Sequence, residues 1–298
     1  MVHNDQEGWD PAAGVGLTAT EAAAARAVAG RRNEPLVSDP FAEPLVHAVG
    51  VEFLTRLAQQ SGMDDESGFA IPRMVDWVAA RSRFFDDYFI TGQAAGVRQA
   101  VILGAGLDSR AYRLPWLSGV TVYEVDRQGV VEFKNRAMLR LRVEPRVDRR
   151  TVGVDLRGDW TSPLRRRGLD PTRPTMWCAE GLLPYLPATV QMRILDEVAA
   201  LSSRGSRFAA DVVEDVGQIA ARVATVRGEN NPVSASRVDS AATGPMRPSS
   251  AAAQRLRSHG WSSLKQTAAE LFAMYALAPL DEGESLYRQI TVVTAASA

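Results

Sequence analysis

The residues best suited to chemistry in this sequence are glycines and acids that stand where predicted strands end. One apolar run ends in Gly104-Ala105-Gly106, and the next ends in Asp126, about 20 residues further on. Glycines let the backbone turn sharply and let a ligand come close to it. An acid at this distance can accept hydrogen bonds from the two hydroxyl groups of a ribose. The spacing therefore favours a cofactor that contains a ribose.

Each part of this pattern also has a structural interpretation. The glycine turn can serve only to connect a strand to a helix, and Asp126 can cap the helix that follows it. Glu124 lies two residues before Asp126, faces the same way along the strand, and competes with it for the ribose. Position 109 is a serine, so the dinucleotide-binding pattern G-x-G-x-x-G is not met.

Two further strand ends carry acids. Asp155 and Leu156 follow the third predicted strand, where they could bind the amino group of an adenine and pack against its ring. The alternative for Asp155 is an ordinary turn aspartate. Glu180 follows the fourth strand, and it could face the positive end of a ligand or form a salt bridge with Arg81 or Arg110.

Arg81 stands in an aromatic stripe of a predicted helix over residues 73–91. Trp77, Arg81, Phe84 and Tyr88 follow one another at spacings of four, three and four, which places them on one face of the helix. A cation on such a face needs a partner. Arg81 therefore either points inward to meet an anion or extends its guanidinium to water along a packed stem.

The elements that must position these residues alternate between strands and helices from residue 99 onward. The predicted strands are Gln99–Gly104, Val120–Asp126, Thr151–Asp155, Thr175–Ala179 and Arg207–Val213, with helices over Gln128–Leu141 and Pro187–Ser202. Such alternation predicts an α/β fold with a mostly parallel sheet, which binds ligands at the carboxyl ends of its strands. Trp261–Gln266 and Ser285–Thr294 are expected to pair as an antiparallel hairpin at the edge of the sheet.

The chain before the sheet is predicted to be mostly helical. Helices are expected over Thr18–Arg31 and Val51–Gln60. Prolines at positions 35, 40 and 44 predict a folded loop or short turns between them. Residues 228–250 are rich in Gly, Pro, Ser and Asn, and they are expected to form a loop insertion that is either a lid or a disordered segment.

Composition excludes several classes of function. The 298 residues are 46% apolar and carry a net charge of −1, so a large core is expected and no basic excess points to nucleic acid. The clusters Arg149-Arg150 and Arg165-Arg166-Arg167 are expected on a solvated surface. No stretch is long and apolar enough to span a membrane, and no signal peptide is expected. One cysteine, Cys178, predicts a reducing, cytoplasmic location and is expected in the core.

Metal and covalent catalysis are also disfavoured. The three histidines, His3, His47 and His259, are scattered along the chain, and with one cysteine they make no metal site. No G-x-S-x-G sequence marks a nucleophilic serine. An oxidoreductase that uses NAD(P) remains an alternative, although it explains neither Ser109 nor the closing hairpin. A protein that binds a cofactor without catalysis is a second alternative.

Six stretches of the chain together resemble a known family. The sequence is similar to the actinobacterial-type S-adenosyl-L-methionine-dependent methyltransferases that are related to leucine carboxyl methyltransferase. The matching stretches run in family order from about residue 9 to residue 213: AAAARAVAGRRNEPLVSDPFAEPLV, ARSRFFDDYF, VILGAGLDSRAYRL, VYEVD, VGVDL and AEGLLPYLP.

The resemblance implies the Rossmann-like fold of class I methyltransferases. This fold has a seven-stranded, mostly parallel sheet with an antiparallel C-terminal hairpin. The whole chain, residues 1–298, would be one domain. Residues 1–95 would form a helical cover, residues 96–214 the cofactor-binding core, residues 215–260 the lid insertion and residues 261–298 the closing strands.

The resemblance also implies the roles of the residues found above. Arg81 would hold the carboxylate of the methionine part of S-adenosyl-L-methionine, and the glycine turn would approach that part. Asp126 would hold the ribose, and Asp155 with Leu156 the adenine. Glu180 would lie near the amino and sulfonium end. The implied cofactor-binding set is Arg81, Gly104, Ala105, Gly106, Asp126, Asp155, Leu156 and Glu180.

Four other residues complete the implied site. Arg26 matches a basic residue near the cofactor carboxylate, although a solvated helix arginine is the alternative. Asp108 and Arg110 are expected to brace the glycine turn by pairing. Glu180 and Tyr185 are the candidate catalytic residues.

The implied activity is O-methylation of a carboxylate or an acidic hydroxyl on a small molecule, and acids from lipid pathways are among the acceptors of this class. A carboxylate is ionised at neutral pH and needs no catalytic base. The animal and yeast relatives methylate the C-terminal carboxylate of a protein. This chain departs from them around the lid, so that substrate is not expected here.

Overall fold

A computed structural model describes residues 14–59, 71–214, 248–281 and 283–298. Seven strands form one sheet in the order β3-β2-β1-β4-β5-β7-β6. β1 to β5 are parallel, and β7 runs antiparallel to both β5 and β6. The strands are β1 (Gln99–Leu103), β2 (Thr121–Asp126), β3 (Asp148–Gly153), β4 (Thr175–Ala179), β5 (Arg207–Val213), β6 (Trp261–Thr267) and β7 (Ile290–Ser297).

Helices cover both faces of the sheet. They are α1 (Gly14–Ala29), α2 (Ala42–Val49), α3 (Glu52–Gln59), α4 (Ile71–Ala94), α5 (Arg110–Arg113), α6 (Gln128–Arg140), α7 (Thr161–Arg166), α8 (Ala188–Ala200), α9 (Pro248–Ser258), α10 (Ala268–Met274) and α11 (Ser285–Arg288), with a short 3-10 helix at Leu183–Tyr185. The long helix α4 and the N-terminal helices pack on one face, whereas α7, α8 and α9 pack on the other. Because both faces are covered, the central strands β1 and β4 are buried throughout and read as continuous apolar runs.

The predicted sheet and its closing hairpin are confirmed. β6 and β7 pair as antiparallel neighbours, and β7 lies between β5 and the edge strand β6. The expected start of the last strand at Ser285 is wrong, because residues Ser285–Arg288 form α11 and the strand begins at Ile290. Tyr287 is buried in the core on the α4 face, so tertiary packing selects a helical turn there over the strand tendency of the local sequence.

The proline-rich segment before α3 also differs from the expectation of a loop or short turns. Residues Ala42–Val49 form helix α2, and Gly50, with a φ of 81°, ends it. Pro44 lies in the first turn of this helix, where a backbone N–H has no partner inside the helix. A proline at that position is therefore compatible with the helix.

The domain limits stay a prediction. Residues 215–247, most of the expected lid, lie outside the described residues. The described part of the expected lid is residues 248–260. Within it Pro248–Ser258 form α9, so the loop expected over residues 228–250 is wrong at its last three residues, and Ala252, Ala253 and Leu256 of this helix are buried in the core. Among the described residues, no helix has the length and apolar character needed to cross a membrane.

Candidate functional site

A cavity of about 310 Å³ lies at the carboxyl ends of the parallel strands. Its volume is at the lower end of the range for small-molecule sites. The residues that line it include every predicted cofactor-binding residue together with Tyr185, Arg26, Asp108 and Arg110. The structure therefore brings the whole predicted set to one place, as the topology requires for loops that follow neighbouring parallel strands.

The glycine turn after β1 has a backbone that favours glycine. Gly104 has a φ of 66° and Gly106 a φ of 41°. A Cβ atom on Gly104 would lie 2.9 Å from a methyl carbon of Leu182. The backbone N–H of Gly104 donates to the carbonyl of Val125 at 2.9 Å, which holds the turn against the end of β2. Larger residues would strain this turn and fill the cavity beside it.

Asp126 ties the end of β2 to the glycine turn. One carboxylate oxygen accepts a hydrogen bond from the N–H of Gly106 at 2.7 Å, and the other accepts from the N–H of Arg127 at 2.7 Å. Burial raises the pKa of Asp126 above its usual value, despite these two hydrogen bonds. Arg127, and not Asp126, occupies the N-cap position of helix α6, so the capping alternative is wrong.

The competing acid, Glu124, points away from the cavity. It is 1% exposed, and one of its oxygens lies 2.7 Å from the ammonium of Lys134 and 2.6 Å from the guanidinium of Arg149. Arg149 is therefore a buried partner, and its expected place on a solvated surface is wrong. Residues 165–167 are exposed, as predicted.

Asp155 and Leu156 form a more open end of the cavity. β3 ends at Gly153, so Asp155 lies in the turn after the strand and not in the strand as expected. Arg157 donates hydrogen bonds from its side chain, at 2.6 Å, and from its backbone N–H to Asp155, and these bonds lower the pKa of that carboxyl. Leu156 is 6% exposed and offers an apolar surface.

Arg81 points inward from helix α4, and the solvent-directed alternative is wrong. Its side chain is 13% exposed and lies 6.0 Å from the ring of Trp77. Nε lies 3.0 Å from Glu180, and Nη1 lies 3.1 Å from Asp211. Sequence reasoning missed Asp211. The sequence did contain a signal for this residue: Asp211 is the one acid in the otherwise apolar second half of β5, and it lies on the side of the sheet that α4 covers.

Glu180 lies between two arginines, so its salt-bridge alternative is the one observed in this structure. Besides Arg81, it meets Nη1 of Arg110 at 2.7 Å. Arg110 also lies 2.5 Å from Asp108, which confirms the predicted pairing of these two residues. Burial raises the pKa of Asp108, but Arg110 and Lys134 more than offset it and hold the pKa at about 2.

This pairing continues as a chain of buried charges along the wall of the cavity. Arg110 meets Asp86 at 2.7 Å, and Asp86 also meets Arg113 at 2.6 Å. Beside it, Arg26 of α1 lies 2.9 Å from Asp39 and donates to the carbonyl of Leu107 at 3.0 Å. Arg26 is 8% exposed, so the solvated-arginine alternative is wrong. These pairs connect α1, α4, α5 and the loop after β4.

Tyr185 stands at the end of the short 3-10 helix that follows β4 and lines the cavity. Burial raises the pKa of its hydroxyl above its usual value, although a hydrogen bond with Thr18 and the charge of Arg81 oppose the shift. The phenol is therefore neutral at physiological pH. It can donate or accept a hydrogen bond but is not ionised.

The remaining candidates for chemistry among the described residues do not line the cavity. His47 contacts Gln59, and His259 contacts Asp196. His3 lies outside the described residues. Cys178 is fully buried in β4, as expected, and burial raises the pKa of its thiol well above the usual value. In the part of the chain that the structure describes, no group of histidine, cysteine and acidic residues could hold a metal ion.

Comparison with known proteins identifies the family. A solved structure from Thermobifida fusca, assigned as a methyltransferase, aligns with a TM-score of 0.53 at 16% identity, over 93% of this chain and 94% of that one, which supports the fold alone. A protein of Mycolicibacterium vanbaalenii, assigned as an S-adenosyl-L-methionine-dependent methyltransferase, is 67% identical over 99% of each chain. One from Mycobacterium marinum with the same assignment is 44% identical over 99% of this chain and 98% of that protein.

The family profile agrees with these relatives. The model of the leucine carboxyl methyltransferase family matches residues 19–199, which include the glycine turn, Asp126 and Glu180. The chain therefore belongs to the leucine carboxyl methyltransferase family of S-adenosyl-L-methionine-dependent methyltransferases.

Proposed function

We propose that the cavity binds S-adenosyl-L-methionine and that the enzyme methylates a carboxylate or an acidic hydroxyl on a small molecule. The observation that carries this proposal is the order of residue types along the cavity wall. Along the strand order β4-β1-β2-β3, the cavity presents Glu180 paired with Arg81, then the glycine turn, then Asp126, and last Asp155 with Leu156. The cofactor has the same order: an amino acid, a sulfonium, a ribose and an adenine.

The side chains fit the cofactor in three respects. Arg81 has a buried Nε that makes no hydrogen bond within the described residues and is suited to the carboxylate of the methionine part. A Cβ atom on Gly104 would lie 2.9 Å from Leu182 and one on Gly106 would lie 3.4 Å from Ala19, so the two glycines keep the backbone beside the cavity free of side chains. Asp126 uses one acceptor site on each oxygen for a backbone N–H, and the remaining sites are suited to two ribose hydroxyls.

When bound, the cofactor supplies a methyl group that its sulfonium already activates. The chain then has to hold the acceptor in line with that methyl group and keep water out. Leu182 and Leu186 contribute apolar surface to the cavity for the second task. Tyr185 is suited to holding the methyl acceptor in line, because a neutral phenol can form a hydrogen bond with an oxygen of that substrate.

The electrostatics favour an acceptor that is already ionised. Glu180, the candidate catalytic acid, has one oxygen against Arg81 and the other against Arg110, so both face cations and are poorly placed to remove a proton. No histidine among the described residues lines the cavity. A carboxylate acceptor needs no base, and an acidic hydroxyl needs only a weak one. An acid from a lipid pathway is one acceptor of this class.

Membership of the family argues against the NAD(P)-dependent alternative. It also argues against a cofactor-binding protein without catalysis. The lone, buried thiol of Cys178 suits a reducing compartment, and we infer a cytoplasmic location from it.

Calorimetric titration with S-adenosyl-L-methionine, S-adenosylhomocysteine and NADH is the direct test. Micromolar binding of the first two, and none of NADH, is expected. A panel of small carboxylic acids and phenols with radiolabelled methyl donor then tests the acceptor class. Binding of NADH alone would contradict the cofactor assignment, and methylation of amines but not of acids would contradict the acceptor class.

A further inference from the structure

Asp211 is a buried acid beside the cavity that does not line it. It lies on β5 and is 4% exposed. One of its oxygens accepts a hydrogen bond from Nη1 of Arg81 at 3.1 Å, and the other accepts from the N–H of Gly181 at 2.5 Å. A single carboxylate thus connects helix α4 to the turn that carries Glu180. Both of these partners, Arg81 and Gly181, line the cavity.

The contact with Asp211 leaves one edge of the Arg81 guanidinium available. Nη1 donates to Asp211, and the buried Nε makes no hydrogen bond to any described residue, so Asp211 does not occupy the edge formed by Nε and Nη2. These two nitrogens form the edge of an arginine that binds a carboxylate side-on with two parallel hydrogen bonds. Glu180 stands near this edge, with Oε1 3.0 Å from Nε, but the pair lacks the alignment of a hydrogen bond.

The two acids that contact Arg81 differ in how easily they can give way to a ligand. Glu180 lines the cavity and has a second cation, Arg110, at 2.7 Å, so it keeps a partner if it leaves Arg81. Asp211 lies behind Arg81, and its other oxygen is fixed by the N–H of Gly181. An incoming carboxylate would therefore displace Glu180 from Arg81 and leave the contact with Asp211 in place.

We propose that Asp211 is a positioning residue, which holds Arg81 so that its Nε and Nη2 edge faces the cavity and binds the methionine carboxylate of the cofactor side-on. This inference rests on the proposed function, because it needs that carboxylate to bind at Arg81. It goes further in assigning a role to an acid outside the cavity lining. It also assigns the two edges of the arginine to different partners, one to the protein and one to the ligand.

The test compares two ligands that differ in the group in question. S-adenosylhomocysteine carries the amino-acid part, whereas 5′-methylthioadenosine has the same adenine, ribose and thioether without it. The variant Asp211→Asn keeps the size and one acceptor oxygen but removes the charge. It is expected to weaken the binding of S-adenosylhomocysteine about tenfold in calorimetry. Binding of 5′-methylthioadenosine is expected to stay within twofold of the wild type.

A remote acid serves as the matched control. Glu284 pairs with Arg73 of the same helix α4 at 2.5 Å and does not line the cavity. Glu284→Gln removes a charge from an arginine pair in the same way, and it is expected to leave the affinity for both ligands unchanged. Thermal unfolding of each variant is measured alongside, so that a loss of folded protein is not mistaken for a loss of affinity.

A double-mutant cycle with Arg81→Lys distinguishes positioning from general stability. A lysine ammonium cannot bind a carboxylate side-on, so Arg81→Lys alone should reproduce the selective loss of S-adenosylhomocysteine. In that background, Asp211→Asn should cause little further loss, because the two residues act as one unit. Additive losses would overturn the inference. If Asp211→Asn does not fold, Arg81→Lys still tests the side-on contact. An equal loss of affinity for both ligands in that variant would overturn it.

The outcomes separate this inference from the proposed function. Unchanged binding of S-adenosylhomocysteine to Asp211→Asn, or an equal loss for both ligands, would overturn the role of Asp211 while the cofactor assignment stands. Failure of the wild-type protein to bind S-adenosylhomocysteine would overturn the proposed function, and this inference with it.

Discussion

The two ends of the cavity satisfy their charges in different ways. At the end built around Arg81 and Arg110, acids and arginines pair with one another, and their side chains are at most 13% exposed. At the other end, Asp126 accepts hydrogen bonds from two backbone N–H groups and from no side chain of the described residues, and Asp155 is 39% exposed and pairs with the exposed Arg157.

This difference separates support of the fold from binding of the ligand, two roles that a single residue often combines. The buried pairs join α1, α4 and α5 to the loop after β4, so they are part of the fold before any ligand binds. Removing one partner leaves an uncompensated buried charge, which costs more than the pair itself contributes. The acids of the open end retain acceptor capacity for a ligand. We therefore expect changes at the charged end to reduce stability most, with a loss of affinity as well at Arg81 and Asp211, and changes at the open end to reduce affinity more than stability.

The largest effect is expected from Arg110→Met. Arg110 is 3% exposed and contacts Asp86, Asp108 and Glu180, so the variant leaves three acids with one cation fewer. Loss of a buried partner of this kind destabilises a protein by about 3–5 kcal/mol. Urea denaturation measures the change in the free energy of unfolding.

Arg83→Met is the matched control for that measurement. Arg83 pairs with Asp87 one turn along α4, and its side chain is 47% exposed. Such a pair contributes about 0.2–1 kcal/mol. Similar losses in the two variants would contradict the view that the charged end supports the fold.

Asp126→Asn is the corresponding change at the open end. The amide cannot accept hydrogen bonds from both ribose hydroxyls as the carboxylate can, so the affinity for S-adenosylhomocysteine should fall by about 1.5–3 kcal/mol. The free energy of unfolding should change by less than it does for Arg110→Met, because the hydrogen bonds of Asp126 come from backbone groups. Calorimetry measures the affinity for S-adenosylhomocysteine, and urea denaturation of the same preparation measures the free energy of unfolding. Unchanged affinity would rule out the ribose role.

The strand ends were the part of the site that the sequence could predict. Asp126, Asp155 and Glu180 could be placed together because the carboxyl ends of parallel strands meet at one edge of a sheet. The partner choice of Arg81 could not be predicted in this way. It depends on Asp211, which lies 130 residues further along the chain and meets Arg81 only when α4 packs across β5. Periodicity placed Arg81 on an inner face but carried no information on its partners.

Prediction of the fold was limited in the same way, because some elements depend on contacts with distant parts of the chain. Alternating apolar runs predicted the sheet, its closing hairpin and helix α4 to within a few residues. Helix α2 and the short helix at Ser285–Arg288 were missed, because each depends on a position in the tertiary structure. Pro44 is tolerated only because it falls in a first turn, and Tyr287 is helical where it enters the core. The burial of Arg149 was missed for a related reason, since its partner Glu124 lies on the neighbouring strand.

Lowering the pH should separate the two ends without any mutation. Asp108 has a folded pKa of about 2, below its usual 3.8, so its contribution to stability is present above pH 3.8 and is lost as the pH falls towards 2. Burial raises the pKa of Asp126, so this group takes up its proton at a higher pH than an exposed aspartate. Protonation of Asp126 favours the folded state but removes an acceptor for the ribose.

Affinity should therefore fall with acidification while the fold persists. The expected window lies above pH 3.8, where Asp126 begins to be protonated and Asp108 remains ionised. Calorimetry with S-adenosylhomocysteine across this range, with circular dichroism as the measure of folding, checks the prediction. The pH-dependent loss should be reduced in Asp126→Asn, which has no carboxyl to protonate. A loss of affinity that coincides with unfolding would contradict the separation of the two ends.

The smallest effect is expected from Asp155→Ala. Its carboxylate is 39% exposed and already pairs with Arg157, so water and that arginine compete with an adenine amino group. An exposed interaction of this kind contributes up to about 1 kcal/mol, which is roughly a fivefold change in the dissociation constant. The control is Ser262→Ala, which lies on the edge strand β6 and does not line the cavity. It should leave the dissociation constant unchanged. A loss of affinity as large as that of Asp126→Asn would show that the adenine and the ribose are held with equal strength. The open end would then depend on single side chains as strongly as the charged end does.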